Sequence, residues 1–204
     1  MKFQILLLCS ITLSAFSLTL GKTKFTQHGG MAFQMDSLTL CIVTTQGDTL
    51  IFRDRLNPQY AENFICHRLF SYLPVQKYWV ILKSYYEGGG WQLINGENGR
   101  VNTVISIPIP SPDGNRLVCA NADIVACFND NGIEVWRIDP DSLALEFQDL
   151  NVSWGPVNTD WKNDSTIIFE KFTYDANWEI VTRPGRLELS NDGTWVPDDT
   201  VDWD

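Results

Sequence analysis

Aromatic and acidic side chains flank a short glycine run near the middle of the chain. Tyr85, Tyr86 and Glu87 precede the glycines at 88–90, and Trp91 follows them. Aromatic rings can stack on a sugar or grip a peptide, a carboxylate can accept hydrogen bonds, and loops on rigid scaffolds often carry binding residues. The pattern predicts a binding site for a protein or glycan partner. The alternative is that Tyr85 or Tyr86 packs with Trp91 inside a sheet.

Two further tryptophans form a second candidate platform. Trp154 and Trp161 flank Gly155 and Pro156, residues that favour a turn or loop. The same two interpretations apply to this pair, because exposed rings would offer a stacking surface whereas buried rings would only fill the core.

Signals for catalysis are weak in this sequence. The chain contains two histidines, His28 and His67, and no nucleophile elbow, so a Ser-His-Asp hydrolase is not predicted. The glycine run lacks the Lys and Ser or Thr of a phosphate-binding loop. We predict no catalytic residue, no metal site and no cofactor. The enzymatic alternative is a hydrolase that uses carboxylates such as Glu87 and Asp130, which would have to lie about 5 to 10 Å apart in one cleft.

Four cysteines lie beyond the N-terminal segment: Cys41, Cys66, Cys119 and Cys127. An even number of cysteines in an oxidising compartment favours disulfides, and four of them allow three pairings. We favour Cys41 with Cys66 and Cys119 with Cys127, because the second pair brackets a short segment typical of a hairpin connection. The alternative is four unpaired, buried thiols.

The N terminus predicts export. Lys2 precedes an apolar stretch over 3–20 that is interrupted by polar and hydroxyl residues, a composition typical of a cleaved signal peptide. We predict a signal peptide at 1–21, no transmembrane segment after its removal, and a periplasmic or secreted protein. Lipid attachment at Cys9 is disfavoured because Leu8, rather than a small residue, precedes it.

The charge of the chain excludes one class of partner. The formal net charge is −10, and no cluster of Lys and Arg occurs. Nucleic acids are bound mainly through such clusters, so we predict no nucleic-acid partner. The acidic end, with Asp198, Asp199, Asp202 and Asp204, is predicted to be a solvated tail, since calcium needs about six to eight oxygens in a fixed array.

Period-two alternation and β-branched or aromatic residues dominate after residue 36 and predict an all-β fold. One short helix is predicted near 58–73, where Asn57 can cap the start and Pro74 ends the segment. No linker is apparent, so residues 22–204 are predicted to form a single β-rich domain with an acidic C-terminal tail. The predicted strands are 38–44, 49–53, 78–83, 91–95, 102–107, 116–120, 133–139, 144–148, 166–172, 178–182 and 186–190.

Tryptophans recur in this pattern at a regular spacing. Trp91, Trp136 and Trp178 each open or centre an apolar segment, and they are separated by 45 and 42 residues. Such a period is typical of a propeller blade made of four strands.

A turn motif accompanies the middle tryptophan. Ser111, Pro112, Asp113 and Gly114 lead into an apolar strand, and a second strand over 131–139 ends in an aspartate. The motif resembles the repeat of TolB-like periplasmic β-propellers, and a degenerate copy lies at 160–169. The resemblance implies propeller-like repeats of antiparallel strands. The chain would hold about three to four blades, arranged as a minimal ring, an open stack, or a β-sandwich that shares only the turn.

These observations predict an exported, non-catalytic binding or scaffold module for a protein or glycan partner, on a propeller-like β fold. A carboxylate-dependent hydrolase and a purely structural envelope protein are the alternatives.

Overall fold

The computed structural model describes residues 24–27, 30–56, 63–150 and 153–198, the first of these segments by its backbone. The predicted signal peptide and the end of the acidic tail lie outside these residues.

The described chain forms four antiparallel sheets of four strands, so the all-β prediction is confirmed. Each sheet is built from strands that follow one another in the sequence. The first sheet contains β1 (Lys24–Gln27), β2 (Gly30–Asp36), β3 (Thr39–Val43) and β4 (Thr49–Arg53), and the second contains β5 (Cys66–Leu73), β6 (Tyr78–Ser84), β7 (Gly89–Asn95) and β8 (Val101–Val104). The third contains β9 (Ile109–Pro110), β10 (Arg116–Asn121), β11 (Gly132–Asp139) and β12 (Ser142–Leu150), and the fourth contains β13 (Gly155–Asn163), β14 (Thr166–Tyr174), β15 (Ile180–Leu189) and β16 (Trp195–Asp198).

The second sheet is buried on both faces. Successive side chains of a strand point to opposite faces, so an uninterrupted apolar run such as β6 needs a partner on each side. Tyr78 and Val80 pack in an apolar cluster with the third sheet, whereas Trp79 and Ile81 pack in a separate cluster with the first sheet. Sheet packing therefore follows chain order here.

The third sheet repeats this arrangement. Leu117 and Cys119 of β10 join the cluster with the second sheet, and Val118 between them joins a cluster with Ile167 and Leu187 of the fourth sheet. Within the described segments, no apolar core cluster joins the fourth sheet back to the first, and no closed propeller is detected.

Equivalent hairpin turns of neighbouring sheets meet at one edge of this stack, here named the turn edge. The Thr45 N–H donates to Gly96 O at 2.9 Å, which joins the first sheet to the second. Gln76 Nε2 donates to Gly114 O at 3.2 Å, which joins the second sheet to the third. The opposite edge, named the loop edge, carries the connections at 85–88, 122–131 and 175–179.

The predicted helix near 58–73 is wrong over residues 66–73, which form β5; residues 57–62 lie outside the described part of the chain. Leu69 and Tyr72 pack on the same cluster although they are three residues apart. A register shift between Leu69 and Ser71 inserts an extra residue into the strand, so its apolar spacing imitates a helical one.

The predicted tryptophan repeat holds for two of its three members. Trp91 lies in β7 and Trp136 in β11, the third strands of their sheets. Trp178 lies instead in the β14–β15 connection and is 78% exposed, so its assignment to a strand is wrong. The Ser111–Gly114 turn leads into β10, and the degenerate copy at 160–169 leads into β14, the second strand of the next sheet.

Candidate functional site

A cleft of about 400 Å³ opens between the second and third sheets at the loop edge. Its walls come from Tyr85 and the start of β7, from the end of β8, and from residues 127–130 of the third sheet. Glu134 of β11 also lines it, and we name it the Glu134 cleft. It lies between two packed sheets, a position typical of small binding sites.

Asp123 organises the connection that forms one wall of this cleft. Its carboxylate accepts hydrogen bonds from the backbone N–H groups of Cys127 (3.1 Å), Phe128 (3.0 Å) and Asn129 (2.8 Å). Aspartate side chains commonly stabilise turns in this way. The backbone is therefore fixed while the Phe128 ring remains 55% exposed beside the cleft.

The wall on the second sheet is docked onto the same connection. The Gly89 N–H donates to Asn129 Oδ1 at 2.7 Å. Gly88 has φ near +79°, and a Cβ at this position would lie 2.6 Å from Phe128 O. A side chain at position 88 would therefore push the two walls apart. This close contact is a structural reason for the glycine run.

Glu134 is a buried acid within the cleft lining, with 4% of its surface exposed. Its carboxylate accepts hydrogen bonds from Trp136 Nε1 (3.0 Å), Gln148 Nε2 (2.9 Å) and the Ile105 N–H (3.3 Å). Three donors from three strands or connections hold the group in one position, as expected of a buried polar side chain.

The cleft combines aromatic and acidic chemistry. Tyr85 and Phe128 supply the rings, and Asp130 and Glu134 supply the carboxylates. Among the described residues that line the cleft there is no Lys, Arg or His.

The sequence-predicted site residues around the glycine run separate into two groups. Tyr85 lines the cleft, and Tyr86 (62% exposed) and Glu87 lie on the same connection outside the lining. Trp91 is half-buried, packs against the core between the second and third sheets, and contacts Phe70 edge-to-face with ring centres 5.0 Å apart. Asp130 therefore shares the cleft with Glu134 and not with Glu87, its predicted partner.

A second cleft, of about 230 Å³, lies between the third and fourth sheets and is named the Trp154 cleft. Like the first, it is lined by the start of a sheet's third strand and the end of its fourth strand. Trp154 stacks on Phe169, with ring centres 5.8 Å apart, and Lys171 Nζ lies 4.9 Å from the Trp154 ring centre. The two clefts therefore occupy equivalent places in successive sheet interfaces.

Trp161 is a core residue, so its prediction as a loop platform is wrong. It lies in β13, is 8% exposed and donates its Nε1–H to Ile109 O at 2.9 Å. Its ring meets Trp195 edge-to-face, with centres 5.9 Å apart. Gly155 and Pro156 belong to the same strand, which explains why the predicted loop between the two tryptophans is absent.

The two predicted disulfides are not formed, and Cys41, Cys66, Cys119 and Cys127 are free thiols. Cys119 points into the core between the second and third sheets, whereas Cys127 is exposed on the connection at 122–131. Cys41 lies on the face of β3 opposite Leu40 and Ile42, away from the second sheet. Burial raises the pKa of Cys41, Cys66 and Cys119.

His67 joins the first two sheets instead of lying on a helix. Its Nδ1 lies 3.2 Å from Asp54 Oδ1, and Arg68 donates to Asp54 Oδ2 at 2.9 Å. Burial lowers the pKa of His67, and the hydrogen bond to Asp54 opposes that shift. In the described part of the chain, no group of three or more His, Cys, Asp or Glu side chains could hold a metal ion.

Sequence reasoning missed Asp123, Phe128 and Glu134. One signal could have identified Glu134: it interrupts the apolar run of β11 on the same face as Trp136, where an acid must find donors or a ligand.

Over the described segments, no helix is long and apolar enough to cross a membrane. Comparisons with protein-family models, curated proteins and solved structures find no match to this chain. Its function must therefore be argued from the Glu134 cleft.

Proposed function

We propose that this protein is an exported, non-catalytic binding module that holds a protein or glycan partner in the Glu134 cleft. The observation that carries the proposal is the pairing of exposed, rigidly held rings with a buried carboxylate in one cleft. Exposed aromatic residues on a fixed backbone lose little conformational freedom on binding, which is why such residues dominate many interfaces.

The sheet arrangement supports the propeller-like part of this proposal. Four sheets of consecutive antiparallel strands pack face to face in chain order, as blades do. In this interpretation the sheets form an open stack of four blades. Their loop edge carries both clefts, so one side of the stack would present the binding surface. Export to the periplasm or the medium rests on the N-terminal sequence.

The hydrolase alternative needs two acids that face one substrate. Of its two predicted acids, Asp130 lines the cleft and Glu87 lies outside the lining. The proposed binding function therefore expects that Glu87→Gln leaves partner binding unchanged.

Affinity capture tests the proposal directly. The mature protein and a Tyr85→Ala, Phe128→Ala double variant are immobilised and exposed to envelope and medium fractions of the producing cells, and retained molecules are identified. Val75→Ala, at an exposed position of the turn edge, is the matched control. We expect a partner that the wild type and the control retain and the double variant loses, with its affinity weakened about tenfold or more.

Equal capture by all three proteins, at unchanged thermal stability, would overturn the assignment of the cleft. Loss of capture in the Val75→Ala control as well would also count against it, because the contact would not be specific to the loop edge.

A further inference from the structure

The charge of Glu134 is not compensated within the described residues. Its three hydrogen-bond donors are a backbone amide, an indole and a side-chain amide, all of them neutral. Neutral donors satisfy the lone pairs of a carboxylate, but they leave its charge in a region of low dielectric, which is unfavourable without a cation.

Two other acids in the molecule show the contrast. The Asp54 side chain is buried and pairs with Arg68 at 2.9 Å. The Glu146 side chain is nearly buried and pairs with Arg116 at 2.7 Å. Buried acids in proteins are normally paired with a basic side chain in this way. Glu134 differs in two respects: its hydrogen-bond donors are neutral, and it lines a cleft that opens to solvent.

The surroundings of Glu134 favour a positive charge. Asp130 lines the same cleft and is exposed, and its lining within the described segments contains no basic side chain. Aromatic rings attract cations through their π electrons. Lys83 Nζ lies 5.2 Å from the centre of the Tyr85 ring, so this rim already carries a contact between an ammonium group and an aromatic ring.

Resting on the proposed function, we infer that the Glu134 cleft binds a Lys or Arg side chain of a partner protein. A carboxylate offers about four acceptor positions, and the protein uses three of them at Glu134. The remaining position, together with Asp130, can accept hydrogen bonds from a guanidinium or ammonium group. A volume of about 400 Å³ accommodates one such side chain with its neighbouring backbone.

The test uses short peptides whose binding is followed by the backbone amide signals of Gly89, Gly90 and Asn129 in NMR spectra. The probe is acetyl-Gly-Arg-Gly-amide. The control peptide carries citrulline, which has the shape of arginine without its charge. We expect saturable shifts with the arginine peptide, binding about tenfold or more weaker with citrulline, and weakening by salt.

Two variants connect this binding to the proposed residues. Glu134→Gln removes the charge and keeps the hydrogen bonds if the Gln148 amide turns over, and Asp130→Asn changes an exposed residue without threatening the fold. Asp141→Asn, an exposed acid in the β11–β12 turn at the turn edge, is the control. We expect weaker arginine binding in the first two variants and unchanged binding in the third.

The outcomes separate this inference from the proposed function. Equal binding of the arginine and citrulline peptides, or shifts produced only by a neutral trisaccharide such as chitotriose, would overturn the inference while leaving a cleft that binds a partner. If butylamine bound as tightly as the peptide, the cleft would be a site for free amines, and the inference of a protein partner would be overturned. If no probe shifts these amides and capture is also independent of Tyr85 and Phe128, both proposals fail.

Discussion

Trp195 in the fourth sheet donates its Nε1–H to the Glu146 carboxylate in the third sheet at 3.0 Å. The same oxygen accepts a hydrogen bond from Arg116 Nε at 2.7 Å, and the Arg116 guanidinium lies 5.9 Å from the Trp195 ring centre. An acid, a base and an indole therefore tie the last two sheets together at a partly buried position.

Removing this carboxylate should destabilise the fold. We expect Glu146→Ala to lower the free energy of unfolding by about 2 to 3 kcal/mol, because it leaves Arg116 and the Trp195 N–H without their acceptor. Urea denaturation measures the change. Glu188→Ala, which removes an exposed partner of Arg186, should change it by less than about 1 kcal/mol. Equal effects of the two variants would contradict a special role for Glu146.

The same group predicts a loss of stability in acid. Burial raises the pKa of Glu146, but the hydrogen bonds from Arg116 and Trp195 and the charges of Arg116 and Arg137 bring it below its usual value of 4.5. Its contribution to stability is therefore present above pH 4.5 and is lost as the pH falls through the folded-state pKa. Denaturation curves recorded from pH 6 to pH 3 should show that the free energy of unfolding falls less steeply with pH in Glu146→Gln than in the wild type, because about one titrating group is removed.

His67 should make the fold less stable as the pH falls below its ordinary pKa. Burial lowers that pKa from 6.5, and the Asp54 hydrogen bond and charge act in the opposite direction. As the pH falls, the unfolded chain is protonated at His67 before the folded chain, because its His67 pKa is higher. The stability that neutral His67 contributes is therefore complete above pH 6.5 and declines as the pH drops towards the pKa of the folded state. His67→Asn keeps a donor for Asp54 and does not titrate. Its stability should vary less between about pH 7.5 and pH 5, and a stability that rises on acidification of the wild type would refute the expected sign.

A methyl group at position 185 should disturb the core of the fourth sheet. A Cβ there would lie 2.4 Å from Phe169 Cε2, which is too close without movement of the ring. We expect Gly185→Ala to lower the free energy of unfolding by about 1 to 3 kcal/mol. Gly90→Ala is the matched control, since its Cβ would have no neighbour within 4 Å. A thermal scan in which both variants match the wild type would show that the ring moves freely.

The four cysteines of the described segments should behave as one reactive and three protected thiols. Cys127 is exposed, whereas burial raises the pKa of Cys41, Cys66 and Cys119 and removes them from solvent. A colorimetric disulfide reagent should therefore titrate Cys127 rapidly and the other three only after unfolding, with the rapid phase absent in Cys127→Ser. Reductant should leave the midpoint of thermal unfolding unchanged. A lower midpoint after reduction would restore the disulfide prediction.

The sequence predicted some inner and some edge strands closely. Strand β4 was predicted with its observed bounds, and β10 and β11 within one residue at each end. Six strands of the described segments were not predicted: β1, β2, β5, β9, β13 and β16. Three of them, β9, β13 and β16, lie at sheet edges and contain Pro110, Pro156 and Pro197. Proline is tolerated at an edge because the missing N–H need not pair, so a residue that usually argues against a strand was misleading here.

The residues of the Glu134 cleft were predictable only in part. Tyr85 could be selected because exposed aromatics beside glycine are a local signal. Glu134 could be noticed as an acid within an apolar run, but neither it nor Phe128 could be assigned to this cleft. The cleft forms only when the β6–β7 connection docks on a connection about 40 residues further along, through Gly89 and Asn129. No local pattern encodes that contact.

Because every sheet is complete within its own stretch of sequence, a nascent chain can finish one hairpin array before the ribosome has made the next. No strand waits for a distant partner, so the search for correct pairing stays short. Each sheet, or hairpin array, still depends on its neighbour to cover its apolar face. The cooperativity of folding is therefore carried by contacts between adjacent sheets along the stack. Unfolding is accordingly expected to begin in the two terminal arrays, while the second and third, which support the Glu134 cleft, are the last to open.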